Sequence, residues 1–258
     1  MRRPPPGLTI FLAVGVGVGM TMSAPAAQAE VVNVTIDTSD MESVRAAYND
    51  VYLAYYDVPL DWTGNTATCD PGTISQDFID AEITEINYFR ALNGLAPTAE
   101  NKEWSISAQA NAMLNAANGT ISHTPVASGY TVCVTEETVA AARPSNLGMR
   151  SAPFSDGQAI RIYMSDRNDV SVGHRAWILS PFLDEVGVGH TNTTDTLFHN
   201  FGSLPTGEIS EASWPSKGYF PYENLPYKVN ADDTLYWSYH SPDLTGRLIH
   251  NGWRVSLT

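Results

Sequence analysis

The sequence is short of basic residues, and short of charge altogether. Its 258 residues hold 14 Lys plus Arg against 28 Asp plus Glu, and charged side chains make up only 16%. A formal net charge of −14 excludes the basic stripe that phosphate contacts need, so no nucleic-acid partner is expected. The same deficit excludes electrostatic attachment to an anionic membrane surface. Cysteine is scarce, with Cys69 and Cys133 the two in the chain. Neither has the nearby His or second Cys that a thiolate zinc site requires. A Gly-x-Ser-x-Gly elbow, a His-Glu-x-x-His pair and a Gly-rich phosphate loop are all missing, which removes the enzyme classes built on them. There is no internal repeat and no low-complexity tract. What is present can fold, because 43% of the residues are hydrophobic, enough for a core.

Residues 1–29 read as an export signal. Arg2 and Arg3 open it, Leu8 to Met20 form a Gly-interrupted apolar run, and Ala27-Gln28-Ala29 supplies a small-x-small site with cleavage expected after Ala29. An uncleaved anchor is disfavoured, because the run is short for a span and no second one follows. The mature chain is therefore expected to be secreted, with no transmembrane segment. In an oxidising compartment the two cysteines favour one Cys69–Cys133 disulfide over two buried thiols, closing a loop of about 65 residues and contributing on the order of 4 kcal/mol.

Periodicity places helices over 39–56, 75–92 and 102–117. Ser39 and Glu42 have capping-box spacing, Asn93-Gly94 and Asn118-Gly119 are stop signals, and the Ala-rich third helix implies close packing. Shorter helical stretches are expected at 135–142 and 158–165, and 174–179 reads as helix or strand. Strands are expected at 186–190 and 196–200. From 204 onward, prolines and aromatics suit a loop leading to strands at 234–240 and 252–257.

Two histidines stand in non-helical, Ser- or Gly-flanked settings: His123 just after the third helix stops, and His174 in Val172-Gly173-His174-Arg175. Histidine is the acid/base group near neutral pH and a common divalent-metal ligand. Both could meet in one cleft with Asp166 or Asp169, although spacing alone favours hydrogen-bonded structural residues. His190, His199, His240 and His250 read as structural or surface. Asn-x-Thr triplets at Asn33, Asn118 and Asn192 read as chance occurrences.

Taken together, Glu85-Ile86-Asn87-Tyr88-Phe89-Arg90 with Asn93-Gly94-Leu95, the Ala-rich stretch from Trp104 to the Ser122-His123 dipeptide, Gly173-His174-Arg175 and Glu185-Val186-Gly187-Val188-Gly189 resemble the CAP superfamily of cysteine-rich secretory, antigen 5 and pathogenesis-related proteins, in its bacterial secreted form. The resemblance implies an α+β fold, an α-β-α sandwich with a central antiparallel sheet, over 75–202. An N-terminal helix and loop (30–74) precede it, and a β-rich extension (203–258) follows. It also implies a cleft with two His, matched by His123 and His174, and two acids. The first acid falls at Pro144-Ser145-Asn146, where Ser145 replaces Glu, and the second at Asp166. The expected ligand cleft is thus His123, His174, Ser145, Asn146 and Asp166, with His123 and His174 as candidate zinc ligands. The resemblance implies a non-catalytic binding protein with a lipid, sterol, cation or protein ligand. The alternatives are a divalent-metal-dependent hydrolase and a structural envelope protein.

Overall fold

The computed structural model describes residues 30–55, 57–151, 158–199, 211–225 and 234–240. The expected export signal, the strand at 252–257 and His250 lie outside them. No helix among the described residues is long and apolar enough to cross a membrane.

α1 (Met41–Ala47) is capped by Asp40, whose carboxylate accepts the Glu42 N–H. The expected Ser39/Glu42 box is not formed, because Ser39 donates to Asp37 instead. A π turn over Tyr48–Tyr52 follows. Its extra residue rotates the apolar face, so Val51 and Tyr52 are buried while Met41 is exposed.

α2 (Gln76–Ala91) starts at Ser75, whose hydroxyl accepts the Phe78 N–H. Phe78, Ile83, Ile86 and Phe89 are buried as their spacing demands. Glu82, Thr84, Glu85, Asn87 and Arg90 are buried too, so this helix is enclosed on nearly every side. Its polar groups need internal partners. Asn87 takes the Thr98 N–H and returns its amide to the Thr98 carbonyl. Glu82 meets His190 at 2.9 Å with both residues buried. Burial alone would pull the His190 imidazole down, but the Glu82 carboxylate holds it above its ordinary value.

The main sheet runs β1-β3-β4-β2, from β1 (Ala99–Glu100), β3 (Glu185–His190), β4 (Thr194–His199) and β2 (Ser145–Met149). β3, β4 and β2 are antiparallel. β1 joins β3 in parallel, so the sheet is mixed where a central antiparallel one was expected. No hairpin links β1 to β3, so nothing forces the pair antiparallel.

α3 (Lys102–Asn118) covers one face and ends where Gly119 turns left-handed at φ 63°. A Cβ on Gly187 would stand 2.3 Å from the Trp104 carbonyl carbon, and one on Gly189 would stand 2.2 Å from that of Ala108. Only glycine lets helix and strand backbones approach this closely. The short α4 (Glu136–Ala140) flanks α3. On the other face Val186, Val188 and Leu197 join α2, α5 (Gln158–Ser165) and α6 (Gly173–Ile178) in the core. Two short strands, β5 (Ala212–Trp214) and β6 (Ser238–His240), pair antiparallel. Trp214 is buried, with edge contacts to Phe89 and Phe220, so the extension shares this core. The expected disulfide forms between Cys69 and Cys133.

Candidate functional site

α6 begins after a tight loop, 166–172. Three of its non-glycine residues, Asp166 (φ 44°), Asn168 (φ 65°) and Val172 (φ 44°), occupy the left-handed region, which is costly for a β-branched side chain. The turn brings Asp166 back onto α6. Its Oδ1 lies 2.7 Å from His174 Nδ1, and its Oδ2 accepts the Arg175 N–H at 3.1 Å. Both oxygens of a buried carboxylate are thereby committed to the first turn of α6. Burial pulls the His174 imidazole down, but Asp166, with Asp169 and Asp195, holds it above its ordinary value.

Behind His174 stands Tyr163, its ring stacked at 5.0 Å. The buried tyrosine hydroxyl donates to Asp195. Burial, reinforced by that carboxylate, raises the phenol well above its usual value. Asp195 fits because the facing β2 residue is Gly148, where a Cβ would stand 2.2 Å from Asp195 Oδ1.

His123 lies just past the end of α3. Its Nδ1 is 2.8 Å from the Ala142 carbonyl. A carbonyl only accepts, so Nδ1 carries a proton.

β2 sorts the remaining expected residues. Directly paired residues share a face, and Ser145 pairs with Phe198, whose ring meets Trp104 on the α3 side. The buried Ser145 hydroxyl donates to the Ala141 carbonyl. Ser145 therefore faces away from His174. Asn146 pairs with Leu197 on the opposite face, and its Nδ2 donates to the His174 carbonyl at 3.0 Å. Asn146, Asp166 and His174 are thus brought together, whereas His123 is tied to the Ala142 carbonyl, four residues before Asn146.

A third imidazole belongs here. His199 follows Asp195 and Leu197 on the same face of β4. Its ring stacks on Trp177 of α6 at 4.9 Å, and its backbone N–H donates to the Pro144 carbonyl at 2.9 Å. Sequence reasoning left it as structural or surface. The signal for it is the two-residue alternation from Asp195, visible once β4 is known to face α6. Burial pushes the His199 imidazole down to about 4, and His123 and His174 act in the same direction.

That shift has a consequence for stability. An unfolded His199 protonates near pH 6.5, whereas the folded one resists until about 4. Between those values the unfolded chain binds more protons, so stability is intact above about pH 6.5 and declines as pH falls through the window. His199→Gln is expected to remove that part of the acid loss. Urea midpoints at pH 7.5 and pH 4.5 should lie closer together than in the wild type. An unchanged gap would mean that His199 titrates normally.

The Asp169 carboxylate is raised by burial but lowered further by the Ser171 N–H and hydroxyl, and ends below its ordinary value. Ligand atoms of Asp166, Asp169 and His174 lie within 4.8 Å of one another, which is a possible cation group. Its fit is poor, because His174 Nδ1 and Asp166 Oδ1 are hydrogen-bonded to each other. His123 is not part of the group. The half-exposed indole of Trp177, 44% accessible, stands on α6 against the His199 ring.

Residues 83–203 match the family described as CAP: Cysteine-rich secretory protein family. No curated protein and no solved structure matches the chain.

Proposed function

Over residues 83–203 the chain belongs to the CAP family of cysteine-rich secretory proteins, and on that premise we propose that it is a secreted, non-catalytic binding protein. Its ligand is an apolar small molecule with a hydroxyl group, of the sterol or lipid-alcohol class, held between His123 and His174. The observation that carries this reading is the shared anchoring of the two imidazoles. Each is tied through Nδ1 to an oxygen acceptor, which leaves Nε2 to bond a hydroxyl, accepting from it in the neutral ring and donating to it in the protonated one. Trp177, exposed on the helix that carries His174 and stacked on His199, supplies an apolar surface. Turnover would have to fall to His174 itself, because Asp166 has both oxygens engaged and the Ser145 hydroxyl is spent on Ala141. Neither is poised as a general base or nucleophile.

A fluorescent sterol titrated into the 30–258 chain tests this. Two hydrogen bonds at about 0.5–1.5 kcal/mol each make His123→Ala/His174→Ala weaken binding by roughly ten- to a hundredfold, in a variant that still unfolds cooperatively but at a lower midpoint, because the buried Asp166 carboxylate and the Ala142 carbonyl each lose a donor. Equal affinity in the double variant would remove the imidazoles from the site. The second reading, a divalent-metal-dependent hydrolase, draws on the Asp166–Asp169–His174 group. Stoichiometric zinc uptake in calorimetry, lost in His174→Ala, would put it first.

A further inference from the structure

The loop that carries Asp166 and Asp169 is held from outside the family-matched region. Both backbone groups of Thr234 are committed to Asn168. The Thr234 carbonyl accepts the Asn168 N–H at 3.0 Å, and the Thr234 N–H donates to Asn168 Oδ1 at 2.8 Å. Two residues further, the Tyr236 carbonyl accepts Arg175 Nη1 at 2.9 Å. Arg175 is wholly buried, and its own N–H binds Asp166. Immediately beyond, β6 pairs with β5, whose Trp214 is fixed in the core. Residues 234–240 therefore grip the cleft loop at one end and are anchored to the core at the other.

We infer that residues 234–240 are a working part of the His174 cleft, a clasp in which Asn168 and Thr234 act as positioning residues that set Asp166 and, through it, the His174 ring. The backbone of the loop supports this. Asp166, Asn168 and Val172 all sit left-handed, a conformation that persists only when surrounding contacts over-determine it. The hydrogen bonds from Ser171 to Asp169 lie within the loop and cannot fix it relative to the core, whereas the Thr234 and Tyr236 contacts can. Asn also suits its position twice, since its side chain supplies the acceptor and its backbone tolerates positive φ. The family match ends at 203, so the clasp lies outside the matched region. The consequence for ligand affinity rests on the proposed binding role, whereas the positioning of His174 does not.

Asn168→Gly tests the inference, because glycine accepts φ 65° without strain and removes the amide side chain whose oxygen accepts the Thr234 N–H. Asn168→Asp keeps the acceptor and is the conservative control. Ring-nitrogen NMR of His174 and amide hydrogen exchange over 167–175 are the readouts. In Asn168→Gly, exchange there is expected to rise at least tenfold while α2 amides stay protected. The His174 Nδ1–H signal should move toward that of an imidazole free of Asp166, and affinity for the sterol probe should fall at least tenfold. Asn168→Asp should resemble the wild type. His174 ring signals and loop exchange unchanged in Asn168→Gly would overturn the clasp, as would a rise in exchange spread equally over α2. A wild-type protein that binds no sterol overturns the proposed function instead, and the ring signals then decide the clasp by themselves.

Discussion

Replacing Arg90 with Leu is expected to cost about 5 kcal/mol of folding stability, at the severe end of single substitutions. Arg90 is fully buried, and its guanidinium serves as a hub for carbonyl groups. Nε donates to Ala96 at 2.7 Å, Nη1 donates to Ile178 and Ser180 at 2.8 Å each, and Nη2 donates to Leu183 at 2.9 Å. Burial pulls the guanidinium down to about 10, with Asp184 nearby acting against that fall, so it stays charged at neutral pH. Leu fills much of the volume and donates nothing. Each carbonyl left without a donor costs about 1–3 kcal/mol, and partial relaxation brings the total near 5. Arg90→Lys should cost less, about 3 kcal/mol, because an ammonium at the end of a flexible stem cannot reproduce the planar fork. Urea unfolding at pH 7 measures both. A loss below about 2 kcal/mol for Arg90→Leu would show that water re-pairs these carbonyls. Since Ile178 and Ser180 close α6, destabilised variants should also loosen the end of the helix that carries His174 and Trp177.

Cys69→Ser/Cys133→Ser is expected to lose on the order of 4 kcal/mol, for a different reason. The bridge joins residues 64 apart in sequence, and closing a loop of that length removes entropy mainly from the unfolded chain. The two large effects should separate in one experiment. The cysteine variant should show a steeper dependence on urea, because its unfolded ensemble is freer and more solvated. Arg90→Leu should leave that slope close to the wild-type value. Reducing agent should abolish the difference between the wild type and the cysteine variant. A stability unchanged by reduction would mean that the 69–133 link constrains little.

How much of this was readable in advance divides along a physical line. α2, α3 and α5 could be placed within a residue or two because their signals are local: Ser75 as a cap, Gly119 as a left-handed stop, and apolar spacing of three and four. The start of α1 was misplaced by one residue, since Ser39 and Asp40 are both good caps and the choice depends on Asp37 capturing Ser39. β2 gave no local signal. Ser145–Met149 is a strand because β4 lies beside it, and pairing partners are not written in a strand's own residues. The same holds for the parallel seating of β1. His123, His174 and Asp166 carried recognisable neighbours, whereas His199 gained its meaning only from the face of β4 it shares with Leu197. The orientation of Ser145 toward α3 was likewise invisible, because a one-residue change of register would have turned it into the cleft.

The core draws on both flanks of the family-matched region. Ile36, Val44 and Val51 enter it from before residue 83, and Ala212 and Trp214 from after residue 203. The family-matched segment is therefore smaller than the unit of folding. A gene fragment trimmed to 83–203 would expose the flank of α2 that Tyr52 and Trp214 now cover, and its product should aggregate where the longer chain stays dispersed. Transplanting this cleft onto another scaffold means carrying its neighbours along.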